Sequence, residues 1–415
     1  MRIWPTGRLP SGMPKSSRSP QQHVSLPADE GKGSELQENQ VFDAVCVGAG
    51  AVGLLVAHDL ADRGLKVALL DRGPAGREAS WAGAGIIPPA FIDHAKTPYA
   101  RLRAVSFERF GQLAAEILNN TGIDIGYRRT GGIEVARTAE ERAVLAMARP
   151  ARHALGVSAE RINADQLRDL EPGLVASEAE WLPEMCQIRN PRFLVGLVAR
   201  CRQLGVTILE HTPVVEFISR DGRISAVQTA SAGLIHAEHF VVTAGAWSGE
   251  LLQHLGQSIP IHPVQGQIIV FETSGNDVHH IVLEEKRYLV PRDDGLVLIG
   301  ATEEDLGFAK QVTDDALEEL RAFACQLFPA LAHRRVRHAW AGLRPGNKLG
   351  HPIIGPLAEW KNLWLASGHF RHGLQQSPGT ARLIADWITG RDSFAAPADF
   401  AIDTPAELFA SEFQS

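Results

Sequence analysis

The chain has 415 residues, of which 45% are hydrophobic, and this is enough apolar material for a large core in two joined lobes. The formal net charge of −7 lacks the basic footprint of a nucleic-acid-binding protein. Four cysteines are scattered without a C-x-x-C pair, which argues against a disulfide framework or a zinc site and is typical of a cytoplasmic protein. No run approaches the roughly 18 apolar residues of a membrane-spanning helix.

Residues 1–40 differ in composition from the rest of the chain. Proline, serine, glutamine and glycine are frequent there and apolar runs are absent, so we expect this segment to be disordered. Because no apolar run follows the early arginines, we do not expect a secretory signal. The folded body is therefore expected to begin near residue 41.

The first motif is a glycine-rich turn between a short apolar strand and a helix. Residues 44–47 are apolar, as in a buried parallel strand, and residues 51–63 carry apolar side chains at helical spacing. The glycines between and after them follow the G-x-G-x-x-G spacing. We expect Gly48 to permit a tight turn, Gly50 to let the backbone approach a pyrophosphate, and Gly53 to allow close helix–strand packing.

A second apolar strand at residues 67–70 ends in Asp71, about 20 residues after the glycine turn. A carboxylate at this position accepts hydrogen bonds from the ribose hydroxyls of an adenosine and repels a 2′-phosphate, which disfavours NADP. The unit therefore predicts a dinucleotide site with the pyrophosphate at the helix N-terminus. These residues alone leave FAD and NAD open, and a structural βαβ unit with incidental glycines is the competing interpretation.

Small residues crowd the stretch 79–86 just after this unit. Small side chains let the backbone approach a second, extended part of a cofactor. A flexible linker has a similar composition, but linkers rarely include a residue such as Trp81. The candidate cofactor contacts here are Ala79, Ser80, Ala84, Gly85 and Ile86.

The remaining pattern alternates helices with strands. Helical periodicity is found at residues 98–120, 139–155, 190–204, 313–328 and 379–389. We expect Asn190 and Thr313 to cap their helices. Residues 206–229 predict a hairpin, and residues 237–245 a buried strand that returns to the dinucleotide fold. The half-buried strands of residues 261–302 are typical of an antiparallel sheet.

A series of segments is similar, in order, to a known group of flavoproteins. They read VGAGAVG, ASWAGAGII, YLVP followed by IGAT, WAGLRP with PIIGP, and ASGHFRHG, and they span about residues 42–390. The set resembles the glycine oxidases within the D-amino acid oxidase and sarcosine oxidase group. The resemblance implies FAD and oxidative deamination of glycine and similar small amino acids, with oxygen reduced to hydrogen peroxide. It also implies a role in the thiazole branch of thiamine biosynthesis.

The fold implied by the resemblance is α/β, with a Rossmann-type FAD-binding domain interleaved with an α+β substrate domain built on an antiparallel sheet. We expect residues 41–97, 190–255 and 335–395 to form the FAD-binding domain. Residues 98–189 and 256–334 would form the substrate domain. Whether the chain forms a homo-oligomer is left open.

The resemblance also assigns individual residues to the site. Arg344 in GLRP matches a carboxylate-binding arginine, Arg371 in GHFRHG a second arginine at the substrate, and Tyr288 in RYLVP a tyrosine above it. Positions matching cofactor contacts on the adenosine side are Ala51, Val52, Asp71, Arg72, Val214 and Gly245. Positions expected to wrap the flavin end, through the backbone at the histidines, are His369, Phe370, Arg371, His372, Gly373, Leu374 and Gln375.

The expected chemistry suits these residue types. An arginine fork binds a carboxylate bidentately and so fixes the Cα–H over the flavin, with no need of a metal. The chain departs from the family pattern at His372 and Leu349, which puts the substrate preference in question, and at Asp71, where glutamate is commoner. Covalent flavin attachment needs a cysteine near the flavin, and Cys325 lies in a helical pattern well before GLRP. We therefore expect non-covalent FAD.

Functions of three classes are compatible with the sequence. The first is an amino acid oxidase that uses oxygen. The second is a D-amino acid or secondary-amine dehydrogenase that passes electrons to a quinone or protein partner. The third is a flavin-bound protein with a binding or regulatory role and no turnover, and the combination of Arg344, Tyr288 and Arg371 argues against it. Oxygen reactivity separates the first two, and no sequence feature decides it.

Overall fold

The computed structural model describes residues 41–273, 275 and 277–405. The disorder expected for residues 1–40 lies outside this part of the chain. No helix among the described residues is both long and apolar enough to cross a bilayer.

The described residues form α-helices and short 3-10 helices. The α-helices are α1 (Ala51–Asp62), α2 (Ala79–Ala82), α3 (Pro98–Thr121), α4 (Ala139–Ala154), α5 (Ala164–Leu170), α6 (Asn190–Gln203), α7 (Ser248–Gln253), α8 (Asp314–Leu327) and α9 (Gly373–Ile388). The 3-10 helices are Ile92–His94, Gly245–Trp247, Pro329–His333, Phe370–His372 and Pro397–Phe400.

The strands belong to three sheets. In chain order they are β1 (Val41–Val47), β2 (Val67–Leu70), β3 (Ile86–Ile87), β4 (Arg128–Arg129), β5 (Gly132–Ala136), β6 (Glu160–Ile162), β7 (Glu178–Leu182), β8 (Cys186–Gln187), β9 (Thr207–Leu209), β10 (Val214–Arg220), β11 (Arg223–Thr229), β12 (Leu234–Val242), β13 (Ile261–Glu272), β14 (Ile281–Glu284), β15 (Arg287–Pro291), β16 (Leu296–Gly300), β17 (Arg335–Asn347), β18 (Ile353–Pro356) and β19 (Leu363–Ser367).

The first sheet is mostly parallel and Rossmann-type. Parallel pairs join β9 to β2, β2 to β1, β1 to β12 and β12 to β19. The antiparallel hairpin β10–β11 pairs with the first part of β12, and β18 pairs with β19. Its central strands are buried apolar runs because helices cover the sheet. The predicted strand–helix–strand unit around the glycine turn is confirmed.

Helix α3 packs with the helices of the first sheet. Its buried residues Tyr99, Phe110 and Leu113 share one core cluster with Leu55 of α1 and Phe193 of α6. The sequence-based boundary at residue 98 places this helix in the substrate domain. In the structure α3 instead packs with the FAD-binding domain, because its apolar stripe is complementary to helices α1, α6 and α9.

The second sheet has the strand order β17-β13-β16-β15-β14-β5-β7-β6, and among these pairs only β14–β5 is parallel. We expected β17 in the FAD-binding domain, but it pairs with β13 from Ile261↔Asn347 to Glu272↔Arg335. Strands of this length satisfy their backbone groups best against a partner of equal length. The carboxylate-binding arginine expected at residue 344 therefore lies on the antiparallel sheet.

Three local expectations are wrong in detail. Asn190 is the first residue of α6, not its cap, and its Nδ2 donates to the carbonyl of Ser80 at 2.7 Å. Thr313 precedes α8, but its hydroxyl accepts from Gln267 Nε2 at 3.1 Å and does not cap the helix. Helix α9 begins at Gly373, not at residue 379, although Pro378 lies inside it. The Ser377 hydroxyl donates to the Leu374 carbonyl at 2.7 Å, which Pro378 cannot reach for lack of an N–H.

Candidate active site

A cleft of about 1630 Å³ lies at the carboxyl ends of the parallel strands and extends to the second sheet. Ordinary ligand pockets measure about 300–1,000 Å³, so this cleft has room for a dinucleotide and a small substrate together. The order of the parallel strands reverses between β1 and β12, and open α/β sheets bind ligands at such a reversal.

The glycine turn forms one wall of the cleft. Gly48 has φ +111°, and a Cβ there would lie 2.5 Å from the carbonyl oxygen of Thr243. A Cβ on Gly53 would lie 1.8 Å from the carbonyl oxygen of Gly48, whereas one on Gly50 would meet only Ser80 Oγ, at 3.2 Å. Gly48 and Gly53 are therefore required by the fold, and Gly50 leaves room on the cleft side of the turn.

Asp71 ties the glycine turn to the end of β2. Its Oδ2 accepts from the N–H of Ala49 at 2.7 Å, and its Oδ1 accepts from the N–H of Gly73 at 2.9 Å. Burial raises the pKa of this carboxyl, and the two N–H groups only partly offset the effect. Asp71 also lines the cleft, so each oxygen retains a lone pair for a ribose hydroxyl.

An aromatic residue that the sequence reasoning missed lies beside Asp71. The guanidinium of Arg72 lies 3.7 Å from the ring centroid of Trp247, and Phe308 stacks on the same indole at 5.4 Å. Trp247 and Arg72 both line the cleft. The sequence signal was present, because Trp247 comes directly after the small residues that follow β12.

The small-residue stretch 79–86 is held by side chains from helix α6, strand β17 and the turn after β15. Its carbonyls at Ser80, Ala82 and Ala84 accept hydrogen bonds from these donors. The donors are Asn190 Nδ2 at 2.7 Å, Trp340 Nε1 at 2.9 Å and Arg292 Nη2 at 2.6 Å respectively. Because these carbonyls are engaged inside the protein, the conformation of the stretch is fixed before any ligand arrives.

Arg292 makes more of these hydrogen bonds than the other two donors. Nη1 also donates to Gln187 Oε1 at 2.6 Å and to the Ile188 carbonyl at 2.9 Å. Burial, together with the charge of Arg189, lowers the pKa of Arg292 to about 9, so the guanidinium stays charged at neutral pH. It links the cofactor-side stretch to the turn after β15.

The segment 369–375, which follows β19 and includes the first turn of α9, lines the cleft. His369 is buried and its Nε2 is 2.9 Å from Thr380 Oγ1, while His372 Nδ1 is 2.9 Å from Gln375 Nε2. Burial lowers the pKa of both histidines to about 3, so both imidazoles are neutral. Phe370 has φ +51°, a left-handed conformation that turns the chain within this segment.

Arg344 lies on β17 with its guanidinium over Gly266 of β13. A Cβ on Gly266 would lie 2.2 Å from Nη2 and 2.4 Å from Cζ, so only glycine leaves room for the side chain. Nη1 donates to the carbonyls of Gln265 at 3.3 Å and Thr302 at 3.0 Å. Burial lowers the pKa of Arg344, and none of the described carboxylates forms an ion pair with it.

Tyr288 lies beside Arg344, and its phenol packs over a second glycine, Gly300. A Cβ on Gly300 would lie 2.7 Å from the Tyr288 hydroxyl, so the phenol folds across β16. Burial raises the pKa of Tyr288, while the positive charges of Arg344 and Arg371 act in the opposite direction. The phenol is therefore neutral, and the structure brings these three residues together.

Arg371 carries a partner that the sequence reasoning missed. Its guanidinium forms an ion pair with Glu303, which comes directly after the IGAT segment that ends β16. Both residues line the cleft, and their side chains are 28% and 37% exposed. One positive charge of the site is thus already compensated within the protein.

The predicted site residues lie around a single cleft. All of them line it except Gly53, whose position is explained by packing against Gly48. Gly266, Glu303 and Trp247 were missed. None of the four cysteines lines the cleft, and no metal-binding cluster of histidine, cysteine and carboxylate side chains occurs among the residues described.

Comparison with known proteins adds three findings. The family model described as "DAO: FAD dependent oxidoreductase" matches residues 43–387. A glycine oxidase of Pseudomonas putida is 38% identical over 362 residues, which are 86% of this chain and 97% of that protein. The crystal structure of glycine oxidase from Geobacillus kaustophilus is 28% identical, with a TM-score of 0.83 over 87% of this chain and 98% of that one.

A longer relative matches with part of its length. The bifunctional protein ThiO/ThiG of Trichormus variabilis is 30% identical over 85% of this chain, and the matched region is 53% of that protein.

Proposed function

Because the chain belongs to the DAO family of FAD-dependent oxidoreductases, we propose that it oxidises glycine and similar small amino acids. The observation that carries the proposal is the placement of Arg344, Tyr288 and Arg371 at one end of a cleft whose other end is the glycine turn. Bound FAD would supply the acceptor for the hydride from the substrate Cα, and its re-oxidation by oxygen would yield hydrogen peroxide.

The residues of the cleft fit FAD. The open side of Gly50 and the first-turn N–H groups of α1 would receive the pyrophosphate, and Asp71 the ribose. The stretch 79–86 and the segment 369–375 would enclose the flavin end. Cys325 lies on α8 and packs with the core cluster on the face of the second sheet away from the cleft, which supports a non-covalent cofactor.

Substrate binding would rest on Arg344. Its Nη1 donors are used by main-chain carbonyls, and the remaining N–H groups of the planar guanidinium can bind a carboxylate bidentately, which orients it as well as attracting it. Partial burial strengthens this attraction because water is excluded. The neutral phenol of Tyr288 would close the site above the substrate and limit its size. In this arrangement the chain holds the Cα–H in place, and no side chain has to remove the Cα hydrogen as a proton, because it leaves as a hydride.

The glycine oxidase relatives and the match to ThiO/ThiG support a role in the thiazole branch of thiamine biosynthesis. A cytoplasmic location is part of the proposal, because all four cysteines are unpaired thiols in the structure.

Anaerobic reduction of the bound flavin tests this function. Glycine, sarcosine and D-alanine should each bleach the flavin absorbance, and air should restore it with release of hydrogen peroxide. Bleaching that air does not reverse would favour a dehydrogenase that passes electrons to a quinone or protein. Absence of bleaching by any small amino acid would refute the proposal.

A further inference from the structure

We propose that Glu303 is a specificity-determining residue that restricts the site to amines with a single carboxylate. The inference rests on the proposed function and names its substrate class. Glu303 pairs with Arg371 and thereby occupies the second arginine of the site. A substrate with a second carboxylate would have to displace Glu303 or lie beside its negative charge.

The two arginines of the cleft differ in how their N–H groups are satisfied. Arg344 donates to main-chain carbonyls, which satisfy hydrogen bonds without cancelling its positive charge. Arg371 donates to a carboxylate, which cancels the charge. Arg344 therefore presents a guanidinium that none of the described carboxylates contacts, with the charge of Glu304 acting on it only from farther away, and this suits one substrate carboxylate.

Glu303 is held in place by its neighbour in the chain. The backbone of Glu304 pairs with Gln265 in both directions, at 3.0 and 2.8 Å. The Glu304 carboxylate accepts from Gln267 Nε2 at 2.9 Å and from the Thr302 hydroxyl at 2.5 Å. Since the segment around Glu303 is anchored on β13, the ion pair with Arg371 does not depend on a loop movement.

Other charges near Glu303 have weaker effects. Lys286 Nζ lies 3.9 Å from Glu303, but its side chain is 68% exposed, so water screens this pair. Glu285 also lines the cleft and lies next to Lys286, with no ion pair to Arg371. Glu285 therefore offers a matched control, because its neutralisation removes one negative charge from the same wall and leaves Arg371 paired.

Binding of inert carboxylates to the FAD-loaded protein tests the inference without turnover. Malonate and acetate are titrated against the flavin absorbance of the wild type, Glu303→Gln and Glu285→Gln. In Glu303→Gln we expect malonate to bind roughly tenfold more tightly and acetate to change by less than about twofold. The Glu285→Gln variant should match the wild type, and Glu303→Gln/Arg371→Gln should lose the gain.

Turnover separates this inference from the proposed function. Glycine and iminodiacetate, which is glycine with a carboxymethyl group on nitrogen, are compared by flavin reduction, and Glu303→Gln should raise the iminodiacetate-to-glycine ratio of kcat/KM by roughly tenfold. Unchanged malonate affinity in Glu303→Gln, or an equal gain in Glu285→Gln, overturns the inference. If no small amino acid reduces the wild-type flavin, the proposed function fails, and the malonate titration still decides the role of Glu303.

Discussion

The guanidinium of Arg344 lies directly over the Cα of Gly266, so that a methyl group on this glycine would be 2.2 Å from Nη2. The two residues lie on paired strands, β17 and β13, and Gly266 is opposite Gly342 in the register. The absence of a side chain at residue 266 is therefore part of the carboxylate site.

Gly266→Ala should displace the Arg344 guanidinium and weaken the binding of glycine. We expect kcat/KM to fall by about 10-fold, because the displaced guanidinium can no longer form both hydrogen bonds to the substrate carboxylate. Flavin content should stay normal. The same substitution in an Arg344→Ala background should have little further effect, and two fully additive losses would contradict the relationship.

Arg344→Ala should cost roughly one to two orders of magnitude or more in kcat/KM for glycine, since hydrogen bonds to a charged group contribute about 1.5–3 kcal/mol. Arg344→Lys should recover little, because an ammonium cannot replace the fork. An amine that lacks the carboxylate should react equally with the wild type and the variant. Equal losses for both kinds of amine would show that Arg344 does not bind the carboxylate.

Gly50→Val and Gly53→Val should fail in different ways. At Gly50 the new side chain meets only Ser80 Oγ at 3.2 Å from Cβ, so the apoprotein should fold with nearly its parent Tm and contain little FAD. At Gly53 the Cβ would lie 1.8 Å from the Gly48 carbonyl, and such crowding costs about 1–3 kcal/mol or more. Thermal unfolding and flavin absorbance measure the two effects. Full flavin content in Gly50→Val would rule out the phosphate turn.

Trp340→Phe should weaken FAD binding while the substrate site remains. The variant removes the hydrogen-bond donor to the Ala82 carbonyl and keeps most of the aromatic ring. A buried carbonyl without a hydrogen-bond donor costs about 1–3 kcal/mol. We expect the Kd for FAD to rise about fivefold to 100-fold, measured by fluorescence titration of the apoprotein. An unchanged Kd would mean that Asn190 and Arg292 hold the stretch 79–86 without Trp340.

A buried ion network at α1 and α3 predicts how stability depends on pH. Burial opposes the charged form of His58, but hydrogen bonds to Asp59 and Glu116, each at 3.0 Å, raise the pKa of His58 to about 9. The folded-state pKa exceeds the ordinary value of 6.5, so this stabilisation is complete below pH 6.5 and is lost as the pH rises to about 9. Chemical unfolding across this range should show the decline, and His58→Gln should flatten it. An identical slope in both proteins would contradict the assignment.

The carboxyl groups of the same network make the stability of the fold decrease at low pH. The pKa of both Asp59 and Glu116 is held at about 2, against 3.8 and 4.5, by the neighbouring cations, although burial raises it. Their contribution is therefore present above pH 4.5 and is lost as the pH falls toward 2.

Local sequence was enough to predict the elements whose signal is contained in one segment. The strand at 67–70 and the bounds of α3 and α4 agree with the structure within a residue or two, because burial periodicity and glycine stops are local properties. The cap at Thr313 was wrong because its hydroxyl bonds a side chain of β13, and the start of α9 was wrong because Ser377 compensates for Pro378.

The sequence by itself determined the glycine turn, Asp71 and the identity of the arginines, since each depends on residue type and short spacing. Only the tertiary structure decided which of those arginines has a carboxylate partner within the protein. Arg371 meets Glu303 and Arg344 lies over Gly266 across 68 and 78 positions of the chain, respectively. Strand register and loop anchoring set such contacts, and neither leaves a local pattern in the sequence.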